Sequence, residues 1–146
     1  RLVSLDLVMK ECLRIVSPVP VMARRAVRDT QVQGHFVPAG TYAAVVPHFT
    51  HHMSQYWPEP ERFDPERFAE HRREDKVHRY AWEPFGGGVH KCLGMHFAGA
   101  EIKAIMHHLL LRFDWRVDAD YVAPLNFTSL PFPSDGQPVD LRFLAQ

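Results

Sequence analysis

Apolar side chains recur at Leu2, Leu5, Met9, Cys12, Leu13 and Val16, a spacing of three and four that predicts a helix over residues 2–16. Pro18 closes it, because proline lacks an N–H and its ring clashes with the preceding turn. Residues 20–27 read as a strand, Arg28-Asp29-Thr30 as a turn and Gln31–His35 as a second strand. Pro38-Ala39-Gly40 signals another turn, and Thr41–Pro47 an apolar strand. A small antiparallel sheet is therefore expected behind the first helix. From His48 to Phe85 the periodicity fades, with a short helix near His48–Gln55. Tyr56-Trp57-Pro58-Glu59-Pro60 cannot be regular helix, since two prolines remove donors and fix the backbone. A loop of that length is usually functional or wrapped over something. Residues 93–112 carry the strongest helical pattern, with Leu93, Phe97, Ala100, Ala104, Ile105 and Leu109 among its apolar positions. Phe113–Val117 and Val139–Leu144 alternate as strands, with a proline-rich loop at Pro131-Phe132-Pro133 between them. The pattern as a whole predicts a mainly α chain with small antiparallel β-sheets (α+β).

Composition narrows the function classes. The 146 residues amount to one domain or less. Lysine plus arginine balance aspartate plus glutamate at 17 each, which gives no electrostatic case for nucleic acid or an anionic membrane surface. No apolar run approaches the roughly 20 residues of a spanning helix. Cys12 and Cys92 are the only cysteines and lie far apart, which suits a reducing compartment better than a disulfide framework. The 12 prolines, the 10 histidines and a first residue already inside a helical pattern read as part of a larger fold.

The candidate chemistry sits in Phe85-Gly-Gly-Gly-Val-His-Lys-Cys92-Leu-Gly94, just before the long helix. A thiolate is the metal-binding form of cysteine, and a helix N-terminus turns N–H groups and partial positive charge toward it. Gly86, Gly87, Gly88 and Gly94 remove side chains where backbone would approach a flat ligand. Phosphate binding is disfavoured, because the loop lacks both the GK[ST] ending and a GxGxxG with its acidic partner. On residue chemistry alone, metal ligation stands beside the plainer reading of a small buried apolar cysteine.

Three motifs in order change that balance. Glu11-x-x-Arg14 lies on one face of the first helix, Phe63-Asp64-Pro65-Glu66-Arg67-Phe68 follows the proline-rich loop, and Phe85-x-x-Gly88-x-x-x-Cys92-x-Gly94 comes last. Their order and gaps resemble the C-terminal part of the cytochrome P-450 haem-thiolate monooxygenases, over essentially the whole chain. Val32-Gln33-Gly34-His35, Tyr56–Pro60, Trp82-x-Pro84-Phe85 and Ile102-Lys103-Ala104-Ile105 resemble the sterol 14α-demethylase-like members more closely.

The resemblance implies that residues 1–146 are the C-terminal haem-binding portion of one P-450 domain, without the N-terminal half and the oxygen-binding helix. It makes Cys92 the axial ligand of haem b iron, with Phe85 beside the sulfur and Gly88 and Gly94 allowing close approach. His90 and Arg24 are expected on the haem carboxylates, Arg24 being preferred because Arg25 points to the other strand face. Glu11, Arg14 and Arg67 match a buried ion triad that ties the first helix to the loop before the ligand. Val89 departs from the family, many of whose members carry arginine there. Lys91 is expected on the surface that receives an acidic electron-transfer protein, unless it is merely solvated.

Val19, Val21, Met22, Leu130 and Phe132, with Pro20 and Pro131, are expected to line a pocket for a lipophilic substrate, possible sterols and other lipids included. Ordinary core packing would also explain them. Zinc is a rival for His48-x-x-His51-His52, His107-His108 and His90-x-Cys92-x-x-x-His96, but no C-x-x-C or H-E-x-x-H arrangement supports it. These histidines are expected mostly on the surface and in loops.

The activity implied is O2-dependent hydroxylation with electrons from a ferredoxin or flavoprotein reductase, in a soluble cytoplasmic protein of bacterial type. No residue here takes the family's proton-delivery role. The alternatives are a truncated inactive fragment and a haem-binding module that does not oxygenate.

Overall fold

The computed structural model describes residues 3–144. Helix α1 spans Val3–Ile15 and α3 spans Met95–Arg112, with a short α2 at Pro47–His51. Leu2 of the expected first-helix stripe lies outside the described residues. Of the rest of that stripe, Leu5, Met9 and Leu13 are only half-buried in α1. Its fully buried residues are Glu11 and Arg14, while Val3, Val8 and Cys12 are exposed. The reason is an ion cluster, described below, that takes the inward face.

Helix α1 crosses α3 at the buried Gly99, where the Met9 methyl lies 3.6 Å from the position a Cβ would take. Asp6 holds the crossing by accepting from Lys103 of α3 at 2.9 Å, and from Lys10 of its own helix at 2.9 Å. Lys10 and Lys103 keep the Asp6 carboxyl below its ordinary range, against an opposing burial effect that is the largest single influence. Helix α3 starts at Met95, two residues later than expected, because Gly94 is its N-cap and Leu93 still belongs to the loop.

Among the described residues, the sheets are four separate two-stranded ladders. Strands β1 (Met22–Arg25) and β4 (Tyr42–Val45) pair antiparallel, with Met22 opposite Val45 and Arg25 opposite Tyr42. Between them, β2 (Thr30–Val32) and β3 (His35–Val37) form a hairpin that divides the single strand expected over Gln31–His35. Gln33 and Gly34 make its two-residue turn, with φ of 52° and 80°. Positive φ at both central residues suits the natural twist of a hairpin. Near the C-terminus, β5 (Phe113–Arg116) pairs with β8 (Asp140–Phe143). The expected proline-rich loop contains strand β7 (Phe132–Pro133), which pairs with β6 (Leu125–Asn126).

The hydrophobic core lies under the irregular segment. Trp57, Phe68 and Ala81 are buried, with Leu7, Tyr56 and Trp82 packed around them. Among the described residues, no helix is long and apolar enough to cross a membrane.

Candidate functional site

The cysteine loop is held by its own backbone. The Gly86 N–H donates to the Glu83 carbonyl at 2.9 Å, closing a turn, and the Cys92 N–H donates to the Phe85 carbonyl at 2.8 Å, closing the loop. Between them, Gly88–His90 forms a single 3₁₀ turn. Gly86 and Gly88 take φ of 69° and 63°, a region that side chains resist. A Cβ on Gly88 would meet nothing within 4 Å, so its surroundings within this chain are open. Gly87 has a different reason: a Cβ there would lie 2.8 Å from Cε1 of Tyr80, so its smallness serves packing and not the approach of a ligand. At Gly94 a Cβ would stand 3.8 Å from Cys92 Sγ, an ordinary contact.

Cys92 is exposed, and its neighbours Val89 and Leu93 are 95% and 99% exposed. An accessible sulfur therefore stands among apolar side chains that no other described residue covers. Behind it, Phe85 meets Trp82 edge-on at 6.2 Å between ring centroids, Trp82 meets Phe68 at 5.6 Å, and Phe68 meets Trp57 at 5.6 Å. This aromatic row runs from the loop into the core.

Glu11, Arg14 and Arg67 meet, all three essentially fully buried. Arg14 donates to both Glu11 oxygens, through Nε at 2.7 Å and Nη2 at 2.9 Å. Arg67 Nε donates to Oε1 at 3.3 Å, and the Asp64 N–H to the same oxygen at 2.9 Å. The remaining guanidinium N–H groups reach the carbonyls of His51, Pro58, Glu59 and Arg62, and the Glu74 carboxylate at 3.0 Å. Arg14 also lies over the Trp57 ring, 5.4 Å from its centroid. A buried charge set is stable only when its hydrogen-bonding capacity is filled, and backbone carbonyls of the irregular segment fill it.

The cluster thus clasps α1 to residues 51–74 and makes no hydrogen bond to the cysteine loop. Two other contacts make that link. Trp82 Nε1 donates to the Lys10 carbonyl at 3.2 Å. His51 Nε2 accepts from the Glu83 N–H at 3.0 Å. His51 is fully buried, contrary to the expectation that the histidines lie on the surface. Its neighbours in the same run, His48 and His52, are only partly buried, with ring centroids 4.4 Å apart. No group of three or more metal-ligating side chains occurs among the described residues.

The remaining predicted residues are more open. Arg24 is exposed and donates to the Ala23 carbonyl at 2.9 Å, whereas Arg25 stacks over Tyr42 at 5.6 Å. Met22 Sδ lies 3.7 Å from the Cβ position of Gly86, which sets the start of β1 against the cysteine loop. His90 is exposed on the 3₁₀ turn. Val19, Val21, Leu130 and Phe132 are exposed and Met22 partly buried. A concavity of about 760 Å³ opens beside the cysteine loop, between α1, residues 76–88 and the start of α3, with Lys10, Lys76, Arg79, Lys91 and Lys103 on its walls together with Asp6 and Glu83.

The family model described as Cytochrome P450 matches residues 1–136. A protein described as "Putative cytochrome P450 136" from Mycobacterium tuberculosis is 48% identical over 143 residues, 97% of this chain and 29% of that protein. A sterol 14α-demethylase from Mycolicibacterium vanbaalenii is 36% identical over 114 residues, 78% of this chain and 25% of that one. The solved structure of retinoic acid bound cyanobacterial CYP120A1 superposes with a TM-score of 0.89 at 36% identity, covering 97% of this chain and 32% of that chain. The chain therefore spans about 29% of the first curated relative it matches.

Proposed function

The chain belongs to the cytochrome P450 family and carries the C-terminal part of its fold, and from that premise we propose that Cys92 is the axial thiolate of haem b in a haem-thiolate monooxygenase. One observation carries this reading. Cys92 is accessible at the head of α3 on a loop closed by its own N–H to the Phe85 carbonyl, with exposed apolar neighbours where a flat macrocycle would lie. The residues present fit such a group: a single thiol for iron, an apolar rim for a porphyrin, and the exposed side chains of Arg24 and His90 for carboxylates. Bound haem supplies oxygen activation, and thiolate electron donation favours O–O cleavage.

The chain's own contributions are positional. The Phe85 carbonyl fixes the Cys92 backbone, and Trp82 holds the Phe85 ring against the core. Gly88 and Gly94 keep the approach open. The Glu11–Arg14–Arg67 clasp fixes α1 against the segment that leads into the loop. Val19, Val21, Met22, Leu130 and Phe132 contribute apolar surface to the substrate side, in keeping with the sterol and retinoic acid in two relatives' names. The lysine-rich concavity beside the loop receives an acidic donor, a ferredoxin or flavoprotein reductase. The overall reaction in this reading is O2-dependent hydroxylation of a lipophilic substrate in the cytoplasm, with residues 1–146 supplying the haem-binding portion of one domain.

The test is haem reconstitution of the 146-residue chain, followed by the carbon monoxide difference spectrum of the reduced form. A red-shifted thiolate-type band that disappears in Cys92→Ala is the expected result. An unchanged band in Cys92→Ala overturns the assignment, and failure of this chain to take up haem favours the truncated inactive fragment.

A further inference from the structure

We propose that His51 is a positioning residue for the Cys92 loop, anchoring it to the Glu11–Arg14–Arg67 clasp through the backbone amide of Glu83. The proposal rests on the reading of Cys92 as haem ligand for its functional meaning, but not for its geometry.

Every hydrogen-bonding group that His51 directs at its neighbours serves a different part of the fold. Its carbonyl accepts from Arg14 Nη1 at 2.7 Å, which ties it to the clasp. Its Nδ1 lies 2.8 Å from the hydroxyl of Ser17, just beyond α1, and its Nε2 lies 3.0 Å from the Glu83 nitrogen. The tautomer follows from these partners. A backbone N–H can only donate, so Nε2 must carry the lone pair, and the proton resides on Nδ1 and goes to Ser17 Oγ. Both His51 and Ser17 are fully buried. Glu83 is the first residue of the turn closed by Gly86, and Phe85 within that turn accepts the Cys92 N–H. The path from the clasp to the sulfur thus consists of His51, the 83–86 turn and the Phe85–Cys92 hydrogen bond.

The charged and titratable groups around the ring agree with a neutral His51. Burial is the largest effect against a second proton; a hydrogen bond to the Arg14 backbone opposes it, the charges of Arg14, His52 and His48 add to it, and the ring is lowered to about 4. Protonation would put an N–H on Nε2 against the N–H of Glu83 and release the turn.

Two measurements on the haem-free chain test this. In the wild type, a scalar coupling between the Glu83 amide nitrogen and His51 Nε2 is expected across the N–H···N bond, and its absence overturns the proposal. The second compares amide exchange at Glu83 and Cys92 in three variants. Glutamine places an acceptor oxygen near the position of Nε2, whereas asparagine reaches only the position of Nδ1. His51→Asn and His51→Ala should exchange about tenfold faster at both amides, and His51→Gln within about threefold of wild type. Equal acceleration in the Gln and Asn variants, no acceleration in either Asn or Ala, or loss of the fold in His51→Gln overturns it. If His51→Ala fails to fold, the Gln–Asn contrast decides. Because neither measurement involves haem, their outcome is separate from that of the carbon monoxide spectrum.

Discussion

Residues 47–85 and 86–112 adjoin in the chain and are held together by opposite means. The first segment is proline-rich and nearly without regular structure, yet it contains the buried hydrophobic core of the described residues and the backbone acceptors that fill the arginine clasp. The second is mostly one 18-residue helix, of which only Gly99 is fully buried. Phe97, Ile105, Leu110 and Leu111 are exposed on that helix, as is Leu93 before it. Regularity and burial are therefore decoupled here. The irregular segment stabilises the chain, and the regular one presents apolar surface, as ligand and partner sites do.

The largest expected effect breaks the first region. Glu11→Ala strips the buried Arg14 guanidinium of its carboxylate and leaves Arg67 only that of Glu74, a class of change that costs about 3–5 kcal/mol. Urea denaturation of the variant should show that loss, and haem uptake should be abolished; a stably folded variant with normal haem content would sink the assignment of the clasp.

Acid should weaken the same region through His51. Its pKa is lowered from 6.5 to about 4, chiefly by burial. The unfolded chain then takes up the proton first, so stability is intact above pH 6.5 and falls as pH drops through the folded value near 4. The drop across that window is roughly 3 kcal/mol from this one group. Urea midpoints at a series of pH values should show it, and His51→Gln should flatten the slope between pH 6.5 and 4.

At the junction of the two regions, Gly87→Ala places a methyl 2.8 Å from Tyr80 Cε1. About 1 kcal/mol should be lost, and the double variant with Tyr80→Ala should recover most of it, as a double-mutant cycle would measure. The smallest effect belongs to α3. Phe97 is 71% exposed, so Phe97→Ser should change the stability of this chain by no more than about 0.5 kcal/mol. A larger loss would mean that α3 shares in the core after all.

The legible parts were those with period or motif. The 3.6-residue repeat gave α1 and α3 nearly to the residue, and the family resemblance of the three motifs implied the cluster of Glu11, Arg14 and Arg67 that the geometry brings together. Periodicity alone did not show the inward face of α1, because it marks apolar burial and the most deeply buried side chains of this helix are charged. The β6–β7 pair was hidden by its length of two residues per strand and by Pro133, which argues against a ladder. His51 was hidden for another reason. It stands in a run with His48 and His52, and nothing in that run distinguishes a residue whose partners are 34 and 32 positions away.

Those separations also carry a consequence for how the molecule assembles. Glu11 collects donors from residues 3, 53 and 56 positions distant, so the full clasp needs long loops to close before it returns any energy. Contacts of that kind form late, after local helix and hairpin formation. A late-formed contact influences unfolding more than folding. The clasp therefore acts as a kinetic latch. Weakening it should leave the refolding rate nearly unchanged and make the chain open faster.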